Sequence, residues 1–169
     1  MNTADLLVDA FGRIRDSVRR VLDGVGADAL AYQPDERSNP IAWLVWHLTR
    51  VQDDHVAHVA GIEQIWTAGG WSRRFGLSLD DSAIGYGHSP AEVRLVRVED
   101  AELLAGYHNA VHDATVRFVG SLRDPDLDRI VDEAWDPPVS LGVRLVSVVT
   151  DDLQHVGQAA YVRGLFERC

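Results

Sequence analysis

Near the carboxyl end of the chain, the stretch TDDLQHVGQAAYVRG (Thr150 to Gly164) sets Asp151 and His155 four residues apart among Val, Ala and Leu. On a helix, positions i and i+4 lie one turn apart on the same side, so this carboxylate and imidazole aim at one point. That is how a helix offers two ligands to a metal ion. Periodicity alone admits a second reading. Arg144, Ser147, Asp151, Gln154, His155 and Gln158 share a sector of about 100°, which is also what the solvent face of an amphipathic helix looks like.

A metal site needs a further ligand from another element, and the segment after Pro40 offers His47, His55 and His58. Against the apolar direction set by Ile41, Leu44, Val45, Leu48, Val51, Val59 and Ile62, His55 points inward as a packing histidine, while His47 and His58 lie on the flank. His47 sits in WLVWHL, where Trp43 and Trp46 could wall a cavity; the alternative is a histidine hydrogen-bonded at the edge of the core. His108 and His112 repeat the i, i+4 spacing. Both fall roughly 90° or more from the centre of their own apolar face, which predicts that they meet solvent. His88, in GYGHSPAEV, is within reach of a pocket mouth. No G-x-S-x-G, G-x-G-x-x-G or P-loop pattern is present, and the acids of DDSA and VEDAE read as solvated loop and helix-start residues.

Four long helices must position these groups. Apolar residues recur at helical spacing from about Thr3 to Leu22, with Thr3 as N-cap and DGVGAD as the stop. A second helix opens at Ile41, just after Pro40, and its pattern runs to about Trp66. The segment TAGGWSRRFGLSLDDSAIGYGHSPAEV holds five of the 14 glycines and no helical period, so it reads as a long loop, and such loops are often functional. A third helix fits Ala101 to Leu122. An irregular connection with a short extended pair follows, and Ser140 caps a fourth helix that runs to near the carboxyl terminus. The expected architecture is all-α: one four-helix bundle over residues 1–169.

Composition narrows the function. At 46% hydrophobic and 25% charged the chain has ordinary globular usage. A net charge of −10 with no basic block argues against nucleic acid, whose binding depends on clustered cations. All 16 basic residues are Arg, a hint about base composition. The amino terminus lacks a secretory pattern and no apolar run reaches a membrane span, so a cytoplasmic protein off the membrane is expected. Cys169 is the only cysteine, which excludes internal disulfides and Cys-based zinc sites; thiol chemistry must draw on a thiol from outside.

WLVWHL, the late DDLQHVGQAAYVRGL and the four-helix layout resemble the DinB-like superfamily of metal-binding bundles, and within it the actinobacterial mycothiol-dependent enzymes. The resemblance implies a divalent metal, zinc first and otherwise nickel, manganese or iron, held by His47, Asp151 and His155. Asp151 stands where His is commonest, which is similar to the maleylpyruvate isomerase branch and leaves metal identity open. The implied activity is a metal-dependent S-transferase in which mycothiol or a similar small thiol, as a metal-bound thiolate, attacks an electrophilic small molecule. Gln154, Gln158, Arg144 and Trp43 are supporting candidates around the ligands or the substrate. Asp152, rotated by about 100°, should not point with His155, and a fourth ligand such as Asp54 or His58 would close the site. The alternatives are a thiol-dependent isomerase, a non-enzymatic bundle that binds a small ligand or metal, and a homodimer whose assembly through exposed helix faces is its main function.

Overall fold

The computed structural model describes residues 1–169. In chain order the elements are α1 (Thr3–Leu22), α2 (Ala27–Ala31), α3 (Ile41–Ala60), α4 (Ile65–Ala68), α5 (Trp71–Phe75), α6 (Pro90–Val93), α7 (Ala101–Val119), a 3-10 turn (Asp124–Asp128), β1 (Ile130–Asp132), β2 (Val139–Ser140) and α8 (Leu141–Phe166). The long helices α1, α3, α7 and α8 form the all-α bundle. α3 packs on α8 and α7, and α1 on α7 and α8, which closes the ring. α3 and α8 run antiparallel: His47 meets His155 at one level, and His55 meets Arg144 at another.

Local chemistry explains the boundaries. α1 begins at Thr3, but the cap is Asn2 rather than Thr3. Its side chain accepts from Asp5 N–H while the Asp5 carboxylate accepts from Asn2 N–H, a reciprocal capping box. Ser140 caps α8 by accepting from Val143 N–H. α3 stops at Ala60 instead of running to Trp66, because Gly61 takes the left-handed conformation (φ 68°) that ends helices. The segment expected as one loop, together with the expected end of the second helix, folds into three short helices, α4 to α6, whose Trp66, Trp71, Phe75 and Val93 join the core. The extended pair before α8 is the small antiparallel β1–β2 ladder.

The core is filled by Phe11, Ile14, Leu44, Leu48, Leu104, Leu141 and Leu145 among others. Burying each large apolar side chain stabilises by about 1.5–3 kcal/mol. Two buried charges organise the α4–α6 segment. Asp53 accepts from the N–H groups of Ile65 and Trp66 and from the Tyr107 hydroxyl at 2.7–2.8 Å, so it anchors the start of α4. Arg50, fully buried, donates to the carbonyls of Ala83 (3.1 Å) and Asp81 (3.0 Å) and to Gln64 Oε1 (2.8 Å), with Asp53 at 3.7 Å. This pairing offsets the cost of burying a cation. It also fixes residues 81–84 over α3, which matters for the site.

Three expectations about histidines change. His108 and His112 are buried, not solvated. α7 packs against α1 on one side and α3 on the other, so its buried arc spans about 160° and takes in both rings. His55 is half-buried at the edge of the α3–α8 seam beside Arg144, not within the core. His47, expected on the flank, is buried at 5% exposure.

Candidate metal centre

α3 and α8 carry the two halves of the site. His47 on α3 and Asp151 and His155 on α8 each present one ligand atom, and these atoms all lie within 4.8 Å of one another. The i, i+4 pair on α8 therefore meets the histidine from α3. Asp151 Oδ1 is 3.5 Å from His155 Nε2, and the rings of His47 and His155 meet edge to face with centroids 4.7 Å apart.

Neighbouring groups set the tautomers. His47 Nδ1–H donates to the Ile84 carbonyl, and His155 Nδ1–H donates to Gln158 Oε1 at 2.9 Å. Each ring thus keeps its Nε2 lone pair free for the shared point, the arrangement by which outer partners orient metal-binding imidazoles. Trp43 stacks on His47 (4.5 Å, 18°) and meets His155 edge-on at 6.2 Å. Trp43 Nε1–H in turn donates to His88 Nδ1 at 3.2 Å, and His88 stacks over Trp46. His88 therefore closes a lid of aromatic rings over the site rather than aiming at it. Trp46 itself is buried against Trp66.

The loop that supplies the Ile84 carbonyl approaches closely. Gly85 has φ 93°, and a Cβ there would stand 2.5 Å from His47 Nδ1 and 3.1 Å from the rings of Trp43 and Trp46. Only glycine tolerates both the backbone and the contact. Nothing in the sequence analysis assigned Gly85 or Ile84 a role; the signal was the pair of glycines in IGYGH, which marks a special backbone but not its target.

Electrostatics fit a cation. Burial holds the His47 pKa below its usual value. Burial also opposes the charge of Asp151 and His155, but their mutual contact outweighs it, lowering the carboxylate and raising the imidazole. Asp151 Oδ2 is buried without a partner. An anionic oxygen left unpaired beside two directed nitrogens suits a divalent cation.

The supporting candidates divide. Gln158 and Trp43 touch the ligands. Arg144 turns away to a salt bridge with Asp132 (2.8 Å) and to His55 Nδ1 (3.3 Å). Gln154 is exposed at the edge of the polar sector and bonds to none of the three residues. Asp54 accepts from Gln64 Nε2, and His58 is exposed, so neither joins the three ligands. Asp152 does diverge from His155: it is fully buried on the core face of α8, with its pKa pushed well up by burial and by Asp151. Cys169 Sγ is exposed and lies against Tyr32 and the Leu165 carbonyl.

Comparison with known proteins places this chain in a family. The family model described as Mycothiol-S-transferase matches residues 6–167, and the chain belongs to that family. A solved structure titled as the conserved protein of locus from Enterococcus faecalis superimposes with a TM-score of 0.90 at 28% identity, over 96% of each chain. No curated protein matches by sequence. No helix is long and apolar enough to cross a membrane.

Proposed function

We propose that this protein is a metal-dependent thiol S-transferase that uses mycothiol or a similar low-molecular-weight thiol as cosubstrate and an electrophilic small molecule as acceptor. The observation that carries this reading is the convergence of His47, Asp151 and His155, both imidazoles tautomerically directed, in a chain of the Mycothiol-S-transferase family. When bound there, a divalent metal supplies the positive charge that favours thiolate over thiol, and the thiolate is the nucleophile.

The residues of this chain do the rest. Asp151 and the two Nε2 atoms hold the cation, the Ile84 carbonyl and Gln158 keep each Nδ1 proton in place, and Trp43 with its bonded His88 shields the His47 side from water. Asp151 and His155 retain partial exposure (34% and 19% of the side chain), so a thiol and its acceptor reach the centre along the α8 side. Cys169 does not serve as the thiol, since it lies fourteen residues beyond His155, past the end of α8, with its Sγ against Tyr32.

Purified protein is expected to carry about one divalent metal per chain, and His155→Ala to carry none; full metal retention in that variant would remove the assignment. With metal present, mycothiol and monochlorobimane should give a fluorescent thioether. Metal without thioether retains the centre and rejects the transferase reading, and turnover of an isomerisable substrate in the presence of the thiol would then point to the isomerase alternative.

A further inference from the structure

The outward face of α8, turned away from the metal centre, is unusually apolar. Val143, Val146, Leu153 and Tyr161 are 48–65% exposed, and with Thr150 and Gly157 they recur every three or four residues along the helix. Exposed large apolar side chains scattered singly need no explanation, but a continuous stripe marks a contact surface. By helical geometry its centre lies about 150° around α8 from Asp151 and His155, so covering it leaves the metal centre open.

The stripe adjoins α1 across a groove of about 640 Å³ in which Ser17 to Asp23 lie beside Leu153 to Glu167. The neighbouring outer face of α1 is a ladder of alternating charge: Asp9, Arg13, Asp16, Arg20 and Asp23, all exposed. Opposed antiparallel to itself, this ladder is self-complementary. A dyad midway between Arg13 and Asp16 sets Asp9 against Arg20 and Arg13 against Asp16, twice over. The α8 stripe is also matched when opposed to itself about a point between Leu153 and Gln154: Val146 meets Tyr161, Thr150 meets Gly157, and the two copies of Leu153 flank the axis. The Arg163 guanidinium donates to the Arg20 and Val21 carbonyls, so α1 and α8 run side by side in the same direction with those residues abreast, which brings the two centres within about one turn of each other, and a single two-fold axis lying across both helices requires that coincidence.

From this we infer that the α1–α8 face is an isologous homodimer interface, its occupant a second copy of this chain docked antiparallel with α8 on α8 and α1 on α1. The apolar stripe supplies the buried centre and the α1 ladder its polar rim, the usual anatomy of such contacts. The inference stands whether or not the transferase reading holds, because its test does not use activity.

Sedimentation over a concentration series should give twice the chain mass for the wild type. Leu153→Glu, at an exposed position that leaves the fold intact by circular dichroism, should sediment at the single-chain mass. Arg13→Asp sets acid against acid at two symmetric places and should weaken dimerisation about tenfold, while Arg13→Asp combined with Asp16→Arg restores the opposition and should recover it. A monomeric wild type, or a dimer indifferent to Leu153→Glu, overturns the proposal; an apolar dimer in which the charge swap fails to rescue overturns the antiparallel register.

Discussion

Two pairs in this molecule have the same spacing and opposite fates. Asp151 and His155 on α8 and His108 and His112 on α7 each stand at i, i+4, yet only the first belongs to a cluster that could hold a metal ion. What differs is the opposing helix. Across from Asp151 and His155 stands His47, with its Nε2 free and its Nδ1 proton engaged. Across from His108 stands Thr49, whose hydroxyl donates to the Val45 carbonyl (2.7 Å) and so accepts from His108 Nδ1–H (3.1 Å). Across from His112 stands Arg15, whose guanidinium faces Nε2 at 3.4 Å. The α7 pair thus meets a hydroxyl and a cation and lacks a carboxylate partner, so it is structural. Spacing puts two side chains on one side of a helix; the neighbouring helix decides what they do.

The sharpest break of this comparison is a crossed pair of substitutions. His155→Ala should abolish metal uptake, read by elemental analysis, with little loss of stability, because the ring lies at a partly open surface. His108→Ala should keep the metal and lose about 2–4 kcal/mol in denaturant unfolding, through the cavity left in the core. Metal loss in the α7 variant with an intact fold would reverse the two assignments.

Next in size is Gly85→Ala. The added methyl cannot coexist with His47 Nδ1, Trp43 and Trp46, so the loop must retreat and the Ile84 carbonyl leave His47. Losing such an outer partner typically costs 10–100-fold in metal affinity, measurable by competition with a chelator. Gln158→Ala removes the acceptor for His155 Nδ1–H from a more exposed position and should cost at the low end, about tenfold. Unchanged affinity in both variants would mean that the ligands need no orientation beyond their own helices.

The same comparison explains what the sequence made legible. The meeting of Asp151 and His155 on one side of a helix was legible from their spacing, whereas His47 joined them only through the family resemblance, and Thr3–Leu22, Ile41 and the Ser140 cap were readable because apolar period and capping chemistry agree there. The burial of His108 and His112 was not, since a single-helix pattern cannot reveal that α7 packs on two sides. The inward role of Ile84 was invisible for a different reason: it acts through a backbone carbonyl, whose direction depends on Arg50 gripping residues 81 and 83 from a helix thirty positions earlier. Residue type carries no record of that.

The two pairs also separate by pH. Burial, aided by the nearby His112 and Arg15, pulls the His108 pKa from 6.5 to about 3. The folded protein holds this ring neutral, whereas the unfolded chain protonates it near 6.5. Its contribution to stability is therefore complete above pH 6.5 and declines as the pH falls from there toward 3, by at most about 1.4 kcal/mol per pH unit. His155 runs the other way: its pKa is raised in the metal-free protein, so it stabilises the fold below its unfolded value and loses that contribution as pH rises through the folded one. His108→Asn keeps an amide donor for Thr49 while removing the titrating ring. Metal-free wild type should thus lose stability faster than this variant between pH 6.5 and 4, with the two converging in slope above pH 7. Parallel slopes throughout would mean that His108 takes up its proton without unfolding, and the α7 pair would no longer be the dry, neutral counterpart of the pair on α8.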